Sequence, residues 1–391
     1  MNIGLKRLVH YVLGAAIACL IAIPQAHGQA ADPAAEPKPL MAEDVFKNVQ
    51  LLRGIPVKEF LGTMGFFSAA TGMNCIDCHE PQGEGLEAYA LDTPLKQTAR
   101  KMIVMVNALN RANFDGQRKV TCYTCHRASE RPEPIPSLAD QYSVPEDDPN
   151  RVEIITDATQ RPVNQPSAAQ ILDKYATALG GATPLARITS ITAKGSYEGY
   201  DTLHEKVPVD IFANAPNQLN TVVHTQHGDS VATFDGTHGW LAAADKLMRV
   251  LPLMGGDLQG AKMDAALFFP ARLKQDFQWR TGFPLTSIDD HPVQVIQDAV
   301  GGNLGIKLYF DAQSGLLLRL VRFTETAVGV IPAQVDYSDY RVVAGTGVKI
   351  PFKRVVTWTD DRQTYELSSV QPNARIDGAK FATPAPPKAK P

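Results

Sequence analysis

The sequence predicts a multidomain chain: a small all-α domain, then an antiparallel β-rich domain of α+β type, built as a curved sheet or half-barrel. Three observations carry that expectation. Apolar residues recur at helical spacing between Met41 and Arg131. About ten strand-like runs, separated by turn residues, fill the stretch from Ile188 to Ser369. Between the two lies a proline-dense stretch, 132–166, whose composition suits an extended linker. A length of 391 residues leaves room for two or three domains of about 150 residues each. With 44% hydrophobic and 20% charged residues, the chain has a core-forming rather than a disordered composition. Its net charge of -3 lacks the basic footprint of a nucleic-acid binder, so no nucleic-acid partner is expected.

The N-terminus reads as a signal peptide over 1–30. Lys6 and Arg7 precede a short apolar run, Tyr11 to Ile23. Pro24 ends it, and the small residues Ala26, Gly28 and Ala30 follow. The run is short and poorly flanked for a membrane span. The competing readings are a retained anchor helix and a lipoprotein-type box at Ala16-Ile17-Ala18-Cys19. Against the box, the apolar run continues past Cys19. The expected location is therefore exported and periplasmic, soluble or peripherally associated with a membrane.

Residues 41–131 are expected to hold three helices and two short motif-bearing turns. Val45, Val49 and Leu52 share a face of a helix from Ala42 to Leu52, with Gly54 as its stop. Pro56 opens a second, running through Phe60, Met64 and Phe67 to Gly72. Thr93-Pro94 opens a third as cap and first residue, followed by Ala99, Met102, Val106 and Leu109. Asn113 to Gly116 reads as a turn.

Residues 167–384 open with a capping box, Ser167 and Gln170, ahead of Ile171, Leu172, Tyr175 and Leu179. Gly180-Gly181 stops that helix. Strand-like runs follow at 188–197, 207–213, 219–226, 231–234, 293–297, 305–310, 316–324, 333–339, 348–357 and 364–369. Trp240, Trp279 and Trp358 read as core anchors. His224 and His227, three apart, fall on opposite faces of a strand and read as exposed histidines rather than a metal site. Residues 385–391 read as a disordered tail.

The chemistry concentrates in the cysteines. Of five, Cys19 lies in the export segment, and the others form two Cys-x-x-Cys pairs, each followed by histidine: Cys75, Cys78, His79 and Cys122, Cys125, His126. Two thiols three apart share one face of a helical turn, where they can add to the two vinyl groups of one porphyrin. The following histidine then reaches the iron from the proximal side, which makes the motif a haem c attachment signature. A four-cysteine zinc site would not require histidine after both pairs. A redox dithiol would want a strand–helix setting. The expected cofactors are two covalently bound haem c groups. A methionine as sixth ligand closes the iron to substrate, whereas an open site favours enzymatic chemistry. By position alone Met64, Met102 and Met105 are all eligible; Met73 is too near Cys75.

Val49 through Val57, Met64-Gly65-Phe66, Asn74 through His79, Arg100 through Ile103, Asn107 and Val120 through Arg127 resemble the cytochrome c subunit of photosynthetic reaction centres and its non-photosynthetic relatives. The resemblance covers residues 43–132. It implies methionine as the usual sixth ligand: Met64 on the first iron and Met102 on the second, with Met105 the runner-up. The family's subunit has four haems and takes a histidine from the turn after its second methionine helix. Here there are two motifs, and the turn from Asn113 to Arg118 has no histidine. The strand-rich half more weakly resembles outer-membrane lipoprotein carrier and sorting proteins, through Phe234-Asp235-Gly236-x-x-Gly239-Trp240 and Tyr309-Phe310-Asp311 with Gly315-Leu316-Leu317. That likeness implies an acyl-chain or other hydrophobic ligand in the concavity.

The leading functional expectation is a periplasmic dihaem cytochrome c relaying single electrons between redox partner proteins, an electron-transfer protein rather than an enzyme. The alternatives are a dihaem peroxidase or oxidase with an open haem site, and a hydrophobic-ligand carrier fused to a redox module.

Overall fold

The structure is a computed structural model that describes residues 39–79, 86–138, 152, 164–246, 248–300, 304–359 and 361–387. The signal segment and Cys19, most of the proline-rich stretch and the end of the tail lie outside the described residues. Residues 39–391 form one compact unit.

The N-terminal part is helical: α1 (Ala42–Val45), α2 (Val57–Thr71), α3 (Cys75–Cys78), α4 (Pro94–Asn113) and α5 (Cys122–His126). The expected helix from Ala42 to Leu52 is a single turn. Asn48 sits at φ 57, a left-handed conformation that ends helical propagation. Both Glu43 carboxylate oxygens instead accept the Gly54 N–H at 3.0 Å, and that bond holds the Glu43 pKa below its ordinary value. α2 and α4 begin and end where the sequence indicates. Thr93 Oγ1 accepts the Lys96 N–H at 3.2 Å as the α4 cap.

The C-terminal part opens with α6 (Ala168–Ala178), capped reciprocally by Ser167 and Gln170, and α7 (Ala182–Ala186). The strands then run in order: β1 (Ser190–Glu198), β2 (Val207–Asn214), β3 (Gln218–Thr225), β4 (Gly228–Phe234), β5 (Gly239–Ala243) and β6 (Val250–Pro252). α8 (Gly255–Phe268) interrupts them. β7 (Trp279–Arg280), β8 (Thr286–Ile288), β9 (His291–Asp298), β10 (Lys307–Asp311), β11 (Leu317–Glu325), β12 (Val330–Val342), β13 (Lys349–Trp358) and β14 (Arg362–Pro372) complete the set. They form one antiparallel sheet in the order β6-β5-β4-β3-β2-β1-β14-β13-β12-β11-β10-β9-β7, with β8 paired to β9. The first and last strands meet in the middle, and the two ends of the sheet do not pair, so the sheet is open rather than a closed barrel.

Every strand run read from the sequence is a strand. The missed elements are α7, β5, β6, β7, β8 and α8. Four are strands of five residues or fewer, α7 is a five-residue helix, and α8 opens on two glycines, which are poor helix formers. α6 and α8 share one core with alternate sheet residues: Ile171 and Tyr175 from α6, Met263 and Ala266 from α8, Ile211 and Leu320 from the sheet. Of the tryptophans, Trp240 is buried, Trp279 donates Nε1–H to Leu273 O at 2.8 Å, and Trp358 lines a cavity described below.

The β11–β12 hairpin reaches out of the sheet onto α2. Val328 packs with Phe66, Ala70 and Ile103. Ala327 N–H donates to Thr63 Oγ1 at 3.2 Å, and Arg118 donates to Thr326 O. Gly329 lies so close to Phe66 that an added Cβ would stand 2.2 Å from the ring. Gly329→Ala is therefore expected to lower stability by about 1–3 kcal/mol through overpacking, read as a lower thermal midpoint.

His224 is not the plain exposed side chain expected. On β3 it is half-buried between Asp229 (Nδ1, 2.9 Å) and Asp210 (Nε2, 3.2 Å), while Lys194 also reaches Asp210 at 3.4 Å. Burial works to lower the His224 pKa, but the two carboxylates outweigh it and the net shift is upward. A raised folded-state value gives stabilisation that is full below the ordinary imidazole pKa and is lost as pH rises through the folded value. His224→Gln should thus lower the thermal midpoint more at about pH 5.5 than at about pH 8.5; an equal loss at both would contradict the assignment.

Candidate cofactor site and the adjoining cavity

Each cysteine motif is a single helical turn held by its own caps. In α3, Asn74 Oδ1 accepts the Ile76 and Asp77 N–H groups at 3.0 and 3.3 Å, and Asp77 Oδ2 accepts the Asn74 N–H at 2.8 Å. In α5, Thr124 Oγ1 accepts the Thr121 N–H at 3.0 Å. Such reciprocal capping fixes a turn too short to persist by helix propagation. Cys75 and Cys125 are exposed; Cys78 and Cys122 are half-buried, and burial raises their thiol pKa values.

The two histidines share one arrangement. His79 Nδ1 faces Tyr89 O at 3.4 Å, and His126 Nδ1 faces Ser129 O at 3.0 Å. A carbonyl only accepts, so each Nδ1 carries the proton and each Nε2 presents its lone pair. Burial, and after it the charge of Lys96, lowers the His79 pKa and favours the neutral, ligating ring. Lys96 is itself tied to Tyr89 O and Leu91 O at 2.9 and 2.6 Å.

The turns are joined to the long helices. Thr93, the α4 cap, also donates its hydroxyl to Cys78 O at 2.8 Å. Gly72, at φ 69, ends α2 and abuts Ala128 just past the second motif; a Cβ there would lie 2.5 Å from Ala128 O. Ala128 N–H donates to Ala70 O at 2.9 Å. Asn110, buried on α4, donates to Val120 O at 2.8 Å and accepts from the Lys119 and Val120 N–H groups at 3.1 and 3.0 Å.

These residues fit haem c. Each motif offers two thiols on one turn, an imidazole with a free Nε2, and exposed apolar or aromatic side chains within or next to it (Ile76 in the first, Tyr123 in the second, Tyr89 against His79), as a haem would need. Met64 and Met102 lie half-buried on α2 and α4, and Met105 is 44% exposed. Among the described residues, no three His, Cys, Asp or Glu side chains group as a metal site. Sequence reasoning singled out Asn107 and missed Asn110, Arg118 and the hairpin at 326–329, whose roles come from contacts distant in the chain.

α2 has a second use. At about 100° per residue, its Lys58, Leu61, Gly62 and Gly65 fall on one arc, Thr63, Phe66 and Ala70 on another, and Phe60, Met64 and Thr71 on a third. The first arc walls a cavity of about 1190 Å³ whose other walls are α8 and one face of the sheet. Alternate strand residues line it: Leu219, Thr221 and Val223 on β3, and Arg354, Val356 and Trp358 on β13. Lys58 bridges to Asp257 of α8 at 2.9 Å, and Asp264 pairs with Arg322 at 2.8 Å.

Fold and site together present a helical segment with two Cys-x-x-Cys-His turns, carried on an open antiparallel sheet. Residues 17–173 match the family of the photosynthetic reaction centre cytochrome C subunit. The photosynthetic reaction center cytochrome c subunit of Thermochromatium tepidum is 33% identical over 112 residues, which are 27% of this chain and 26% of that subunit. Among solved structures, a LolA superfamily protein from Nitrosomonas europaea is similar at 10% identity and TM-score 0.37, covering 56% of this chain and 98% of its own. A putative outer membrane lipoprotein-sorting protein domain from Vibrio parahaemolyticus is similar at 10% identity and TM-score 0.36, covering 54% and 94%. No helix among the described residues is long and apolar enough to cross a membrane.

Removing the Asn110 side chain takes away the partner of the Val120 N–H and of the Val120 carbonyl, while the Lys119 N–H keeps its bond to Gln117 O at 2.8 Å. Asn110→Ala should lower stability by about 1–3 kcal/mol in chemical denaturation, far more than Asn107→Ala on the exposed face.

Proposed function

We propose that this protein is a periplasmic dihaem c-type cytochrome that relays single electrons between redox partner proteins. The observation that carries the reading is the repeated turn: two thiols three apart and a histidine whose Nδ1 is committed to a backbone carbonyl. When bound, the haem supplies a one-electron iron couple. The chain's own residues do the rest. Cys75 and Cys78 anchor the first group, and Cys122 and Cys125 the second. Tyr89 O and Ser129 O orient His79 and His126. Met64 and Met102 are the proposed sixth ligands, with Met105 the runner-up at the second site. Two saturated irons suit electron transfer without substrate binding. Residues 41–131 are the proposed haem domain, 132–166 the connecting segment and 167–384 the β-rich domain, following a signal peptide at 1–30.

A second reading is favoured by one specific observation, the cavity of about 1190 Å³ on the concave side of the sheet. It exceeds the roughly 300–1,000 Å³ of ordinary small-molecule sites. A hydrophobic ligand held there would make the β-rich domain a binding module attached to the relay.

The deciding experiment is a haem count by pyridine haemochrome and intact mass on the purified protein. Two covalent haems are expected, one in a Cys75→Ala/Cys78→Ala variant. Any other count for the unaltered protein defeats the reading. Met64→Ala and Met102→Ala should each abolish one methionine-to-iron absorption signature. Carbon monoxide binding to the unaltered reduced protein would instead favour an enzyme with an open haem.

A further inference from the structure

Among the described residues, one cation of the cavity wall has no carboxylate partner. Lys58 and Arg322 in its wall are matched by Asp257 and Asp264, and Lys246 lies 3.6 Å from Asp245. Arg354 on β13 is different. Its guanidinium lies over the Tyr365 ring, 4.2 Å from the centroid, and among the described residues no carboxylate stands within ion-pair distance of it. It also hydrogen-bonds the Tyr365 side chain; a guanidinium carries five N–H donors, so donors remain to match the two oxygens of a carboxylate or phosphate.

The acidic residues of the wall are mostly committed. Asp201 accepts the Tyr197 hydroxyl at 2.5 Å. Asp298, buried, accepts the Val300 N–H at 3.2 Å, and burial raises its pKa toward the neutral form. Glu59 and Glu325 belong to the wall built by α2 and the end of β11, and Glu325 is 66% exposed. The remaining lining near Arg354 is mostly apolar: Val335, Val356 and Trp358 on the sheet, with Gln363 on β14 polar, and Leu219 and Phe234 further along the sheet.

We propose that this cavity takes an elongated apolar molecule ending in a single anionic group, a carboxylate or a phosphate monoester, with the anion seated on Arg354. The proposal rests on the second reading above, that the cavity holds a hydrophobic ligand, and it names the ligand's chemical class. The apolar tail lies between α8, the sheet and the Leu61–Gly65 arc of α2. The ligand therefore touches the helix that presents Met64 on another of its arcs, and the site is incomplete without the haem-bearing part of the chain.

The test is isothermal titration calorimetry of the full, haem-loaded chain with three probes of equal tail length, each below its micellar concentration: palmitate, 1-palmitoyl-lysophosphatidate and hexadecanol. The anionic probes are expected to bind at least tenfold tighter than hexadecanol. Arg354→Gln should remove that preference and leave hexadecanol binding unchanged, with the haem spectrum unaltered. Ala232→Trp, across the concavity, should weaken all three. A preference confined to lysophosphatidate assigns the anion as phosphate; one shared by palmitate admits carboxylates. If hexadecanol binds the unaltered protein as tightly as the anionic probes, the role of Arg354 falls and the hydrophobic-cavity reading stands. If none of the three binds, both fall. The comparison within the unaltered protein decides the matter even if Arg354→Gln fails to fold.

Discussion

The structure depends on α2 serving three surroundings at once. One arc receives the β11–β12 hairpin through Thr63, Phe66 and Ala70, a second walls the cavity, and a third carries Met64. A helix committed on three sides cannot rotate to improve one contact without losing another. Its ends are pinned as well. Val57 N–H donates to Leu40 O at 2.8 Å at the start, and Gly72 abuts Ala128 at the finish. This explains an otherwise odd composition. The helix Val57–Thr71 carries two glycines, both toward the cavity, where a larger side chain would occupy ligand space or press on Thr326, whose methyl already lies 3.5 Å from where a Cβ on Gly62 would be.

The helical N-terminal part has little core of its own. Among the described residues between 39 and 131 the buried side chains are few: Ala42, Val57, Thr63, Phe66, Ala70, Ala88, Thr93, Ile103 and Asn110. So small a core yields little stabilisation from burial. The hairpin adds to it, contributing Val328 to the cluster around Phe66 and Ile103. The proposed attachment of haem at the motif turns would add a covalent support.

Much of this was legible in the sequence, for identifiable reasons. Strand runs such as Val207–Asn214 alternate apolar and polar residues over a full strand length, and their turns are marked by residues with a definite chemical task. Asp235 Oδ1 accepts the Thr237 and His238 N–H groups at 2.7 Å, and Asp311 does the same for Gln313 and Ser314. The motif cysteines and histidines announce themselves by spacing alone. β7, at two residues, is too short to show a period, and α8 hides because its apolar positions are mixed with small ones. The short α1 was misjudged because an apolar period says nothing about Asn48, which turns left-handed to bond Ala90 O and Asp92. Asn110 and Arg354 were invisible for a different reason. A buried amide and a stacked guanidinium acquire meaning only from neighbours that folding brings together.

The hairpin also gives the two halves a physical reason to communicate. β11 and β12 supply cavity wall through Phe323, Thr324, Ile331, Ala333 and Val335, and the turn between them grips α2 through a cluster against which Cys122 also packs. Whatever widens or fills the concavity bears on the same strands that hold Phe66 and Thr63 in place. Close-packed elements transmit small displacements rather than absorbing them. Thr63 adds directionality: its hydroxyl donates to Glu59 O at 2.8 Å within α2 while accepting Ala327 N–H from the turn, so the helix backbone and the sheet share one hydroxyl. The joint is a packed hairpin rather than a flexible tether, so the cavity wall and the helix that carries Met64 are parts of one mechanical unit.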